Sequence, residues 1–166
     1  MGTKSEQNLK DAFAGESQAN RKYLAFAKQA DKEGFAQAAK LFRAAAEAET
    51  VHAHSHLRAL GGIRSTKENL AEAIAGETFE FTSMYPAMIA EAETEGADQA
   101  LRSFKFANEV EKVHAALYGK ALAALEEKVE LFDYFVCPVC GHTVEQAAPE
   151  SCVVCGVKGS LFLKVS

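Results

Sequence analysis

Within the stretch AEAETVHAHSH, residues 46–56, Glu49 and His52 stand three apart. On a helix they share one face, about 4.5 Å apart along the axis. The same E-x-x-H spacing returns as Glu111 and His114 in EVEKVHA. Glu16 precedes the first pair and Glu77 the second, each within a copied motif, AGES and AGET. All six fall on apolar helical stripes: Phe42, Ala45, Glu49 and His52 form one, and Phe104, Ala107, Glu111, His114 and Tyr118 another. Four carboxylates pointed into one core repel one another and lose their hydration, so they need cations. Four carboxylates and two imidazoles from four helices are the ligand set of a dinuclear carboxylate site for iron or manganese. Zinc, which prefers four ligands, fits this oxygen-rich set less well.

A second donor set closes the chain. All four cysteines lie in VCPVCGH (136–142) and SCVVCGV (151–157). Each pair is C-x-x-C-G, and the glycine permits the tight turn that aims backbone N–H groups at sulfur. Cys137, Cys140, Cys152 and Cys155 are thereby predicted to form one tetrahedral four-thiolate metal site. The spacing suits zinc as well as iron. Beside a redox-competent bundle, iron is the expected metal because it passes single electrons, with zinc a possible substitute.

One feature breaks the duplication. Glu80 follows Glu77 by one turn, whereas the matching place in the first half is Ala19. A seventh candidate ligand on one side suggests that one metal exchanges partners, with His52 the competing donor. Tyr23 and Tyr85 could set hydroxyls against the ligand carboxylates, or serve as core tyrosines. His54 is expected to face solvent and His56 to pack in the core or an interface.

Helices must position these groups. The pattern predicts four, over 5–33, 36–60, a third starting with Thr66 as N-cap, and 98–127, with breaks at Gly34, Gly61–Gly62 and Gly96. Pro86 should kink the third by removing the hydrogen bond to the Thr82 carbonyl. AGES at 14 and AGET at 75 are 61 apart; KEGFA and TEGAD, then ETVHA and EKVHA, are 62 apart. Two hairpins thus repeat one plan. The expected fold is mainly α: residues 1–130 form a four-helix bundle and 131–166 a small metal-knuckle domain. Apolar residues at 48% allow a proper core, and a net charge of -5 argues against a nucleic-acid partner. The N-terminus has no apolar signal segment and no run of eighteen apolar residues occurs, so no membrane association and a cytoplasmic location are expected.

Taken together, AGESQANRKY, EAETVHA, GETFEFTSMYP, EVEKVHA and the two knuckles resemble the rubrerythrin family over nearly the whole chain. The resemblance implies a ferritin-like di-iron bundle followed by a rubredoxin-like domain. It implies iron ligands at Glu16, Glu49, Glu77, Glu80, Glu111 and His114, with His52 replacing Glu80 when the site is reduced. It further implies a peroxidase of oxidative-stress defence that reduces hydrogen peroxide to water. Electrons would come from NAD(P)H through an external rubredoxin or reductase, in agreement with the lack of a G-x-G-x-x-G nucleotide fingerprint. A ferroxidase or iron-storage protein using oxygen is the alternative.

The link at 61–66 departs from ferritin-like topology, which needs a connection running the bundle's length. A helix of about 25 residues spans roughly 37 Å, and six extended residues reach only roughly 20 Å. Either the bundle is up-down-up-down, or the first hairpin sits in a partner's bundle; the second, a domain-swapped homodimer, is the expectation. The fourth helix is expected to hold the two metal centres far apart within one chain, which would make electron transfer run between subunits.

Overall fold

The computed structural model describes residues 2–127 and 130–166. The chain forms two compact units, Met1–Arg64 and Ser65–Ser166. The first is a helical hairpin of α1 (Lys4–Glu33) and α2 (Ala36–Ala59). Thr3 caps α1, its hydroxyl accepting from the Glu6 N–H at 3.1 Å. Gly34 ends it in the left-handed region, φ 83°, where a side chain would be strained. Small buried residues (Ala27, Ala30, Ala39, Ala46 and Ala53) let the two backbones approach closely. Asn20 donates across the hairpin to the Ala46 carbonyl at 2.7 Å.

The second unit holds α3 (Thr66–Phe79), a π-helical turn (Glu80–Met84), α4 (Tyr85–Glu95) and α5 (Asp98–Ala123), followed by three short strands. Ser65, not Thr66, caps α3. The Ser65 hydroxyl accepts from the Glu68 N–H, and the Glu68 carboxylate accepts from the Ser65 N–H at 3.1 Å. The glutamate three residues on selects Ser65 from the Ser-Thr pair, because only that register closes the reciprocal bond. The predicted fourth helix ends at Ala123 rather than residue 127, with turns over the last few residues.

The duplication extends beyond the motifs. Gly34 and Gly96 form the same left-handed cap, and the next residues donate to the Ala30 and Ala92 carbonyls at 2.8 and 2.9 Å. Arg43 pairs with Asp31 and Lys105 with Glu93, each at 2.8 Å. Tyr23 packs on Phe42 at 6.2 Å between ring centres, and Tyr85 on Phe104 at 6.3 Å. All these pairs are related by 62 residues, whereas Glu16 and Glu77 are related by 61. One extra residue therefore lies between Glu77 and Tyr85. The π turn absorbs it: the Tyr85 N–H reaches back five residues to the Glu80 carbonyl. The same turn resolves Pro86. In place of the kink expected at Pro86 there is this turn, and Pro86 falls in the first turn of α4, where no intrahelical donor is required.

β1 (Tyr134–Val136) is the centre of a three-stranded antiparallel sheet between β2 (Thr143–Glu145) and β3 (Leu163–Val165). The sheet packs back on α5 within this unit. Lys120 of α5 pairs with Glu145 and lies 5.9 Å from the Phe132 ring centre, while Gly141 sits against the buried Val110. No described helix is long and apolar enough to cross a membrane.

Gly159, buried beside the second knuckle, leaves no room for a side chain, because a Cβ would run into the Pro149 carbonyl. Gly159→Ala should destabilise the module by about 1–3 kcal/mol. The measurement is loss of the metal–thiolate absorption at a lower temperature, with the helical circular dichroism band melting as before.

Candidate metal centres

Each unit assembles its own triad. In the first, ligand atoms of Glu16, Glu49 and His52 lie within 4.8 Å of one another, and in the second those of Glu77, Glu111 and His114 do the same. Helical spacing produces the pairs: His52 Nδ1 is 3.0 Å from Glu49 Oε2, and His114 Nδ1 is 2.8 Å from Glu111 Oε2. The cross-helix carboxylate comes next, with Glu77 Oε1 3.8 Å from His114 Nδ1. An ion about 2.1 Å from each donor would separate donors by up to about 4.2 Å, so the clusters fit a metal with small adjustments.

The acids already show the strain of proximity. Burial first, then the Glu111 charge and the hydrogen bond to Glu111, push the Glu77 carboxyl above the usual carboxylate range, against the pull of His114. In the other triad the hydrogen bonds from His52 and Glu16 hold Glu49 below it.

Glu80 stands near Glu77 and His114. Burial and then the Glu77 charge raise its carboxyl, with His114 opposing. It is not among the clustered ligand atoms, whose members in this unit are Glu77, Glu111 and His114. Tyr85 faces the acids: burial, then Glu80, Glu111 and Glu77, keep its phenol protonated to higher pH than usual. Tyr23 packs in a ring cluster with Phe26 and Phe42. His54 is exposed and His56 half-buried.

The four cysteines converge as the knuckles require. Their sulfurs lie within 4.8 Å of one another, with Cys137–Cys155 and Cys140–Cys152 each at 3.5 Å. A disulfide would need about 2.05 Å. A tetrahedral ion with metal–sulfur bonds of about 2.3 Å spaces sulfurs by about 3.8 Å, close to what is found. Gly141 and Gly156, at φ 85° and 77°, close matching turns on the Cys137 and Cys152 carbonyls, both at 2.9 Å. Backbone N–H groups then face sulfur. Burial opposes ionisation of Cys152, yet the N–H groups of Cys155 and Val154 bring its thiol down to about 7. Burial outweighs the His142 N–H at Cys140 and raises that thiol.

The structure overturns one expectation. The fourth helix does not hold the two centres far apart within a chain. Thr143, three residues after Cys140, places its hydroxyl 3.0 Å from His114 Nε2. The sheet returns along α5 instead of extending beyond its end, since Lys120 and Val110 offer it a charge and an apolar seat. His142 is buried beside this contact, 7% exposed, and its Nδ1 has no partner among the described residues. Sequence reading missed Thr143 and His142 because nothing local ties residue 143 to residue 114.

Paired Glu and E-x-x-H half-sites on helical hairpins, with a four-cysteine module attached, define a non-haem di-iron carboxylate protein with a rubredoxin-like module. The rubrerythrin family model matches residues 7–122, and the model for the rubrerythrin rubredoxin-like domain matches 135–162. The chain belongs to the rubrerythrin family. It is 38% identical to a rubrerythrin of Porphyromonas gingivalis, over 97% of this chain and 90% of that one. To a nigerythrin of Nitratidesulfovibrio vulgaris it is 35% identical, over 90% and 80%. A solved structure of fully reduced, all-ferrous nigerythrin superposes with a TM-score of 0.60 at 31% identity, covering 99% of this chain and 88% of that one. The donor sets are accordingly those of two iron ions among carboxylates and histidines and of one iron among four thiolates.

Glu111→Ala should leave the carboxylate site short of metal while the cysteine site stays loaded. Metal analysis per chain, read beside the iron–thiolate colour, checks this; full occupancy of both sites would contradict the assignment.

Proposed function

We propose that this chain is a peroxidase reducing hydrogen peroxide to water, fed with electrons through its four-cysteine iron by an external NAD(P)H-linked donor such as a rubredoxin or reductase. The reaction takes up two electrons and two protons and breaks the O–O bond to give two waters. When bound, the iron pair supplies two electrons at once, so the bond breaks without a one-electron radical stage. The observation that carries the reading is the His114–Thr143 contact, which joins the electron-carrier module directly to a ligand of the carboxylate site.

The remaining work falls to named side chains. Glu16, Glu49, His52, Glu77, Glu111 and His114 would hold the metals, with Glu80 and His52 as alternative donors to one of them. Glu80, whose carboxyl is raised above the usual range by burial and the Glu77 charge, would deliver a proton at its carboxylate oxygen. The Tyr85 phenol stays neutral beside three acids and can donate a hydrogen bond without adding charge.

A domain-swapped homodimer completes the proposal. Between α2 and α3 lie only six residues, a reach of roughly 20 Å, whereas α2 with 24 residues is about 36 Å long. The first hairpin also leaves Phe26, Leu41 and Val51 exposed, apolar surface that a partner would cover. Each site would take Glu16, Glu49 and His52 from one chain and the other ligands from its partner. Analytical ultracentrifugation should find a dimer, and a stable monomer with both carboxylate irons bound would contradict the swap.

Replacing Cys137 and Cys152 together by Ser separates chemistry from supply. Peroxide should still oxidise the chemically reduced carboxylate centre in a single turnover, while steady turnover with a rubredoxin donor collapses. Undiminished steady turnover would refute the delivery role. If the reduced protein reacts with oxygen as fast as with peroxide, the ferroxidase reading replaces this one.

A further inference from the structure

We propose that Thr143, on the four-cysteine module, is the positioning residue for His114. Its hydroxyl fixes the ring in the form that ligates through Nδ1, and it supplies the bonded bridge between the two metal centres.

Proton counting carries the first half. The Thr143 hydroxyl has one hydrogen and donates it to the Gly141 carbonyl at 3.0 Å. A carbonyl offers no hydrogen in return, so that direction is forced. A lone pair of the same oxygen then faces His114 Nε2 at 3.0 Å, and Nε2 must carry the ring hydrogen. With a metal ion between them the bare nitrogen is Nδ1, whose neighbours are Glu111 Oε2 and Glu77 Oε1 at 2.8 and 3.8 Å; without the ion the shorter contact holds a proton. Metal ligation needs a bare nitrogen, and the group on the other nitrogen decides which one it is.

The contrast with the first hairpin sharpens the point. His52 presents Nδ1 to Glu49 in the same way, yet its side chain is 55% exposed against 27% for His114. Among the described residues no hydroxyl lies against its Nε2. Two E-x-x-H copies alike in sequence thus differ in support: within one chain His114 is held by the module, and His52 has no such hydroxyl. The module thereby determines which histidine is the fixed ligand.

The bridge follows from connectivity. Gly141 is bonded to Cys140, its carbonyl holds the Thr143 hydroxyl, and that hydroxyl holds His114. From thiolate ligand to imidazole ligand the path uses one peptide bond and two hydrogen bonds. This second half rests on the proposed peroxidase reading, while the ring-form half stands without it.

Thr143→Val keeps the shape and removes the hydroxyl, and Thr143→Ser restores it. With zinc, which is diamagnetic, in both sites, the nitrogen-15 NMR spectrum of the histidine rings should show His114 as the Nε2–H form in wild type and T143S. In T143V it should become a mixture. Cobalt(II) titration of the carboxylate site, followed by its visible bands, should show affinity lower by about 10–100-fold in T143V and near wild type in T143S. In the iron protein, peroxide added to the fully reduced form should oxidise the thiolate iron more slowly in T143V than in T143S. Unchanged ring form and cobalt affinity in T143V would overturn the positioning role. If the wild-type thiolate iron is never oxidised after peroxide, the electron-delivery reading fails while the first two measurements still decide the role of Thr143.

Discussion

Glu77 and Glu111 sit on helix faces otherwise given to apolar packing, with ligand oxygens no more than 4.8 Å apart. Two bare carboxylates at that distance repel by about 3 kcal/mol even at an effective dielectric constant of 20. A domain's whole stability is about 5–15 kcal/mol, so positive charge or a shared proton must lie between them. The rest of the molecule serves that requirement. Duplicated hairpins provide two such acid pairs, each with a histidine one turn on, and the interhelical alanines of the first hairpin hold its acids close.

The duplication is also where the molecule departs from its own symmetry. A single extra residue in the second copy is taken up by the π turn that opens at Glu80. Helical hydrogen bonding continues with one wide loop, at the position where an additional carboxylate faces Glu77 and His114. Packing beyond the turn is preserved, since Tyr85 meets Phe104 as Tyr23 meets Phe42. The insertion therefore changes what one side of the site can offer without disturbing the hairpin around it. Such turns tend to mark functional positions for this reason.

The four-cysteine module adds a second asymmetry. By packing back along α5 it brings its first knuckle, with Gly141, His142 and Thr143, to the outer nitrogen of His114. Among the described residues of the first unit no matching support reaches His52. The four-thiolate site and the hydroxyl that meets His114 are thus one structural element.

Much of this was legible in the residues. Hydrophobic period, glycine breaks and the E-x-x-H copies located the helices, the two clustered Glu–Glu–His sets and the four sulfurs, because these depend on spacings within a helix or a knuckle. The offset of 61 against 62 also held the signal for the π turn, although only the folded structure showed how one residue is absorbed. The docking of the module on α5 was beyond reach, as were the Thr143–His114 bond and the buried His142. Each depends on surfaces 20 or more residues apart in sequence, and their pairing is chosen by shape and charge after the elements form. Local chemistry was thus written in the chain, and the contact between the two donor sets was decided by tertiary packing alone.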